Sequence, residues 1–230
     1  YDLSSFVNNV GFRYALTDQI SHKAILEYRL KDYTITDQST ASDSVKKLSG
    51  NNADIVFNNT FTYNNLDSFL RPTKGTYLKF DNGISPSTND ENGYVKNLIS
   101  YKKYYKMKTN VFSFRTKVGN IYSLQDKELP NDDKFSLGGR SLRGFDSFGV
   151  GPRNSRTSYV GGKNIFVTNL DLHRPIIKNS DNPVDLDLFI DVGTVFDNKT
   201  TPSSSKETFR SSFGFGIKFY SVIGPIGFTW

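Results

Sequence analysis

Residues 184–192 read Val184-Asp185-Leu186-Asp187-Leu188-Phe189-Ile190-Asp191-Val192, an alternation that puts two different chemistries on two faces. Val184, Leu186, Leu188, Ile190 and Val192 share one face, and Asp185, Asp187, Phe189 and Asp191 share the other. A side-chain period of two belongs to a β-strand, whereas a helix would return its apolar residues at three and four. The same rule holds from Phe209 to Tyr220. There Phe209, Ser211, Phe213, Phe215, Ile217 and Phe219 oppose Arg210, Ser212, Gly214, Gly216, Lys218 and Tyr220. From His22 to Lys31, His22, Ala24, Leu26, Tyr28 and Leu30 oppose Lys23, Ile25, Glu27, Arg29 and Lys31. Weaker versions occur near residues 4–16, 54–65, 75–84, 94–104, 110–123 and 162–173, and a last segment begins at Pro225. The spacing predicts about ten strands. Most run to ten residues or more, against a usual globular mode of about 5–6.

The connections sort by length. Those near 17–20, 66–74, 105–109, 174–183 and 221–224 are mostly short, and those near 34–53, 85–93, 124–161 and 197–208 are mostly longer and polar. An up-and-down antiparallel sheet places alternate connections at opposite ends. Short turns at one end and long loops at the other are the pattern of outer-membrane barrels. The fold expected is therefore all-β, a transmembrane antiparallel up-and-down β-barrel. A soluble β-sandwich also alternates faces, but the strand lengths, the loop parity and the dense charge on the polar faces argue against it. No apolar run of about 18 residues exists, so a transmembrane helix is excluded, while a barrel signals itself by alternation instead.

Composition narrows the chemistry. The 230 residues include 13 Tyr and 19 Phe, which favours strands, and no cysteine, which removes disulfides and thiolate catalysis. The net charge of +6 is spread along the chain without a basic run or helix, so no nucleic-acid partner is expected. The chain starts at Tyr1 and its only methionine is Met107, which reads as an excerpt of a longer polypeptide. His22 and His173 lie far apart in sequence and fit no metal or triad spacing; His22 is expected at an interfacial strand end and His173 as a structural group. Asp185 and Asp187 read as lumen lining, Gly149-Val150-Gly151-Pro152 as a turn, and Asn198-Lys199-Thr200 as a chance sequon. No enzyme activity, metal or cofactor is expected.

The stretch from Leu124 to Gly161 is too long for an idle connection. Its centre, Phe135-Ser136-Leu137-Gly138-Gly139-Arg140-Ser141-Leu142-Arg143-Gly144-Phe145-Asp146-Ser147-Phe148-Gly149-Val150, combines glycine pairs, a central arginine and flanking aromatics. It looks built to fold back and pack. Asp171 lies between Leu170 and Leu172, and Asp191 between Ile190 and Val192, so both acids point away from the apolar face and into a barrel lumen.

Leu142-Arg143-Gly144-Phe145 resembles the Arg-Gly-aromatic loop motif of the BamA family, the POTRA-plus-barrel proteins of the bacterial surface antigen superfamily. The likeness continues through Thr62-Tyr63-Asn64-Asn65-Leu66-Asp67 with Arg71-Pro72-Thr73-Lys74-Gly75, then Phe189-Ile190-Asp191-Val192-Gly193-Thr194-Val195-Phe196-Asp197. It ends in Gly214-Phe215-Gly216-Ile217 and Gly224-Pro225-Ile226-Gly227, in the family's order, over about the last three quarters of the chain. The first two strands match only in pattern.

The resemblance implies that residues 1–230 are part of a sixteen-stranded barrel, with the loop at about 124–161 as an extracellular loop folded inward. Trp230 would then sit within the penultimate strand, and the excerpt alone would not close a native barrel. It implies that Arg143 meets Asp171 and Asp191, with Gly144 allowing the tight turn and Phe145 anchoring the loop. A partly wet lumen suggests an ion-pair energy between the exposed and the dry limits. It also implies a bacterial outer-membrane location and a role in assembling and inserting β-barrel proteins. The partners implied are outer-membrane lipid and lipopolysaccharide, unfolded β-barrel clients and accessory assembly lipoproteins. Relatives that share the loop motif, a TamA-like factor or a two-partner secretion pore, remain open, as does a passive porin-like channel.

Overall fold

The computed structural model describes residues 2–35, 46, 50–86, 93–125, 129–153, 159–177, 183–197, 209–221 and 224–230. The Asn198 sequon lies outside them, as do parts of the loops read near 34–53, 85–93, 124–161, 174–183, 197–208 and 221–224. Ten strands are present among the described residues: β1 (Asp2–Ala15), β2 (Ile20–Thr34), β3 (Gly50–Asn64), β4 (Gly75–Ser85), β5 (Tyr94–Met107), β6 (Asn110–Ser123), β7 (Asn164–Ile177), β8 (Val184–Phe196), β9 (Arg210–Ser221) and β10 (Gly224–Thr229). They form one antiparallel sheet in which every strand pairs with its sequence neighbour. β1 and β10 do not pair with each other, so the sheet is open along these two edges.

Which face is apolar decides the environment. Along β8, Leu188 and Ile190 are each 51% exposed, whereas Asp185, Asp187 and Asp191 are 3%, 4% and 0% exposed. Phe213 at 87%, Phe12 at 62% and Leu26 at 53% extend the same outward surface. A water-soluble sheet buries its apolar face. This sheet does the reverse over long strands, which is the arrangement of a wall bathed in lipid outside and lined by polar groups inside. His22 stands on the outer face among aromatics: its ring stacks on Phe61 at 4.2 Å, and Nδ1 lies 3.1 Å from the Tyr14 hydroxyl. An aromatic cluster with polar tips close to the short-turn end suits a membrane–water boundary.

Most strands run past the limits that alternation alone marks. The clearest case is β7, where Arg174-Pro175 reads as a terminus yet pairing continues to Ile177. Pro175 offers no N–H to the ladder, and the β7–β8 register shifts between Pro175 and Ile177, a bulge that accommodates the missing donor. His173 consequently lies inside the strand.

The turn between β3 and β4 explains its own sequence. Asp67 accepts hydrogen bonds from the backbone N–H groups of Thr73 (2.8 Å) and Lys74 (3.1 Å) and from the Thr73 hydroxyl. Slight burial works against the carboxylate, but these three donors outweigh it and hold the Asp67 pKa below the usual range. Arg71, next in the turn, reaches under the lumen to a two-point hydrogen bond with Asp185 and lies over the Tyr220 ring at 5.1 Å.

Candidate functional site

The loop between β6 and β7 folds back into the concave, polar side of the sheet. Short bridges shape it: Phe135 pairs with Gly162, and the N–H of Val150 donates to the carbonyl of Leu137. Its apolar residues then meet the few apolar residues of the inner wall. Leu129, Phe135, Leu137, Leu142 and Val150 from the loop form one cluster with Tyr94, Ile121, Ile165, Val167 and Val195 from the strands. Leu142 is 0% and Leu137 1% exposed, so they are the buried anchors. Phe145, the anchor expected from sequence, packs only at the cluster's edge, because its ring also faces the cavity at the short-turn end of the lumen.

Wall glycines make room for this plug. A Cβ on Gly193 would lie 2.9 Å from Leu137 Cδ2, and one on Gly119 would lie 2.6 Å from Phe135 Cζ. Glycine inside a strand marks such a close approach. Gly193→Val is therefore expected to leave strand pairing intact while weakening loop docking by about 1–3 kcal/mol through overpacking. Faster cleavage of the loop by protease, in a barrel that still migrates as folded, would register it.

At the loop tip, Arg143 uses nearly every donor it has. Nε donates to Asp191 Oδ2 (2.7 Å), Nη2 to Asp191 Oδ1 (2.6 Å), and its backbone N–H to Asp191 Oδ2 (3.0 Å). Nη1 lies 2.7 Å from Asp171 Oδ1, and the guanidinium stacks 3.7 Å from the centroid of Phe189. Only a planar fork can hold one carboxylate by two bonds, reach a second, and lie flat on a ring. Burial disfavours the charge of Arg143, but hydrogen bonding to Asp191 and the charge of Asp171 outweigh it, so its pKa is raised. The cluster is drier than the sequence suggests: side-chain exposure is 13% for Arg143, 2% for Asp171 and 0% for Asp191. Gly144 follows at φ +83°, a left-handed turn that glycine adopts freely; a Cβ there would meet only Ser212 at 3.6 Å, so conformation rather than space selects it.

The two acids are not equivalent. Asp171 also receives Arg115 Nη2 (2.9 Å) and Ser113 Oγ (3.3 Å), whereas Arg143 is the only cation on Asp191 among the described residues. From Ser113 the network runs to His173, whose Nδ1 lies 2.6 Å from Asp187, and on to Lys218 at 2.7 Å from the same acid.

A second attachment has no counterpart in the sequence reading. Near the long-loop end, Lys31 Nζ on β2 donates to Asp132 (2.6 Å) and Asp133 (3.2 Å), and the Tyr33 hydroxyl donates to Asp132 (2.8 Å). Arg29 Nη1 reaches Asp133 (3.3 Å), and Lys96 Nζ on β5 reaches its carbonyl (2.7 Å). Burial pushes the Asp132 carboxyl up, but the hydrogen bond and charge of Lys31 and the Tyr33 hydroxyl hold it below the usual range. For Asp133 burial wins: it outweighs Lys31, Asp132 adds repulsion, and the carboxyl is raised. The loop is thus pinned at two places, to β2 and β5 at one and to β7 and β8 at the other. Arg115, Phe189, Lys31, Asp132 and Asp133 were all missed. The legible signals were the aromatic Phe189 on a face otherwise acidic, and the carboxylate pair in a loop that folds inward.

Residues 2–230 match the Omp85 superfamily domain. The chain is 27% identical over 212 residues to the outer membrane protein assembly factor BamA of Nitratidesulfovibrio vulgaris, covering 88% of this chain and 26% of that protein. It is 31% identical over 150 residues to the sorting assembly machinery 50 kDa subunit of Saccharomyces cerevisiae, covering 61% of this chain and 30% of that protein. Among solved structures, BamA from Haemophilus ducreyi lacking POTRA domains 1-3 superposes with a TM-score of 0.83 at 19% identity, over 99% of this chain and 50% of that one. The chain therefore spans about a quarter to a third of these curated relatives and half of the solved neighbour.

Proposed function

Because the chain belongs to the Omp85 superfamily, we propose that the protein carrying it assembles β-barrel proteins and inserts them into the bacterial outer membrane. The observation that carries this reading is the loop tip seated on the inner wall: Arg143 on Asp171 and Asp191, in a sheet whose apolar face is turned outward. A passive channel can use a lumen loop as a constriction, but it does not require Arg143 to lock onto Asp171 and Asp191. A machine that must hold its wall in shape while other strands pair and part does. On this reading the segment braces the barrel, and the work on a client is the pairing of strand edges by backbone hydrogen bonds, without chemical turnover. Unfolded barrel proteins are the clients. Outer-membrane lipid, lipopolysaccharide and accessory assembly lipoproteins are the surroundings in which it acts.

Relatives named as assembly factors support this reading over a secretion pore. The test is reconstitution of the intact protein in liposomes with a urea-unfolded client barrel, followed by heat-modifiable gel migration. Client folding faster than in empty liposomes is the expected result. Ion conductance without any acceleration would favour the channel instead.

A further inference from the structure

Between the docked loop tip and the inner wall of β5, β6 and β7 lies a cavity of about 440 Å³. Its size falls within the range of about 300–1,000 Å³ typical of small-molecule sites. Four cations line it, Lys102, Arg115, Lys117 and Arg140, and no acidic side chain does so among the described residues. Arg115 is committed to Asp171. Lys102, Lys117 and Arg140 have no ion-pair partner among the described residues; Lys102 rests only near the Tyr77 ring, at 5.1 Å.

The pairing register makes the arrangement deliberate. Lys102 stands directly opposite Arg115, and Ser100 directly opposite Lys117, so the wall contribution is a two-by-two patch on adjacent strands. Like charges placed opposite one another across a strand pair repel, and the loop adds Arg140 to the same space. The loop is held over the patch by Asn169, whose Nδ2 donates to the carbonyl of Ser141 at 3.0 Å. Ser100 supplies a further observation. It is 7% exposed, it lines the cavity, and its hydroxyl has no hydrogen-bond partner among the described residues. The hydroxyl is not sealed within the wall, so it is open to a group in the cavity. The larger cavity at the short-turn end differs, because there Asp171, Asp185 and Asp187 share the lining with the cations.

We infer that this cavity is a binding site for a compact, multiply charged oxyanion of the phosphate type, either free phosphate or the phosphate of a lipid headgroup. Ammonium groups, a guanidinium fork and a free hydroxyl are the donors such a group requires. A doubly charged anion removes the repulsion among Lys102, Lys117 and Arg140, which a single carboxylate would leave incomplete. Because Arg140 belongs to the loop and the other cations to the wall, the anion bridges the two, and its binding stabilises the docked loop by mass action. The site needs only the docked loop and is independent of the assembly reading.

The test uses the intact protein in uncharged detergent, stripped of phospholipid. Inorganic phosphate and glycerol phosphate are each titrated calorimetrically against chloride at matched ionic strength. Saturable binding is expected for phosphate over chloride. Lys117→Gln and Arg140→Gln are each expected to weaken it about tenfold, the loss of one charge-assisted contact, while Lys117→Arg retains it. Both side chains are exposed to the lumen, and heat-modifiable migration reports folding of each variant separately. Native mass spectrometry before stripping assigns the source. A phosphate-bearing lipid retained by the unaltered protein and lost from Arg140→Gln identifies a headgroup; phosphate binding without retained lipid identifies the free ion. No binding beyond that of chloride, equal affinity in the variants, or binding only of an acidic peptide free of phosphate would overturn the assignment.

Discussion

Arg143→Ala is expected to free the loop tip from the wall, at a cost on the order of 3–5 kcal/mol, because it strands a buried carboxylate instead of merely losing a contact. Asp191 is 0% exposed and has no other cation among the described residues. The two acids should differ: Asp191→Asn should disturb docking more than Asp171→Asn, since Asp191 accepts the backbone N–H, Nε and Nη2 of Arg143 while Asp171 holds only Nη1. Arg143→Lys should rescue little. A lysine cannot bind Asp191 at two points, reach Asp171 and stack on Phe189 together. Amide hydrogen exchange across residues 135–150 in the intact protein measures the docking energy directly. Unchanged protection in Arg143→Ala would mean that the apolar cluster around Leu142 holds the loop unaided.

The other large effect is expected at the opposite attachment. Lys31→Met keeps most of the side chain's volume but removes the charge shared by Asp132 and Asp133. Two adjacent carboxylates then face each other, with Arg29, at 3.3 Å from Asp133, as the remaining ion-pair partner among the described residues. Lys31 and Asp133 have side-chain exposures of 8% and 7%, so the loss is on the order of 3 kcal/mol. The readout is exchange near Leu129–Phe135, with the Arg143 end of the loop still protected. A loss shared equally by both ends would show that the loop undocks as one unit. Restoration of protection by adding Asp132→Asn to Lys31→Met would confirm that carboxylate repulsion is the cause.

What was legible in the sequence, and what was not, divides by physical origin. Strand identity was readable because a period of two survives wherever one face meets lipid and the other water or protein, as along Val184–Phe196. Strand ends were less so, since Pro175 and the polar residues beyond each alternating core join the ladder through backbone groups that carry no side-chain signature. Arg143, Asp171 and Asp191 could be named because the acids sit out of phase with apolar neighbours and the loop motif supplies the third partner. The Lys31–Asp132–Asp133 attachment joins residues about a hundred positions apart, with a carboxylate pair in the loop on one side and an ordinary alternating lysine on the other. The carboxylate pair in an inward-folding loop was a signal, but nothing local names Lys31 as its partner. The same holds for the cations around Ser100: only the register of β5 against β6, and a loop folded over them, brings Lys102, Lys117 and Arg140 to one cavity. Gly193 and Gly119 carried the needed hint, because a glycine on a strand's inner face signals that another chain segment comes close.

In the working protein the loop should lie docked on the inner wall. This segment contains no cysteine, so disulfide trapping tests the claim cleanly. Ser141→Cys with Asn169→Cys joins loop to wall where the Asn169 amide now meets the Ser141 carbonyl at 3.0 Å. Thr116→Cys with Thr168→Cys, whose hydroxyls lie 3.0 Å apart on β6 and β7, is the control for a contact within the wall itself. In native outer membranes under mild oxidation, both pairs are expected to crosslink. A control that crosslinks while the loop pair does not would mean that the loop tip does not rest on the wall at Asn169, and the docked arrangement would be wrong.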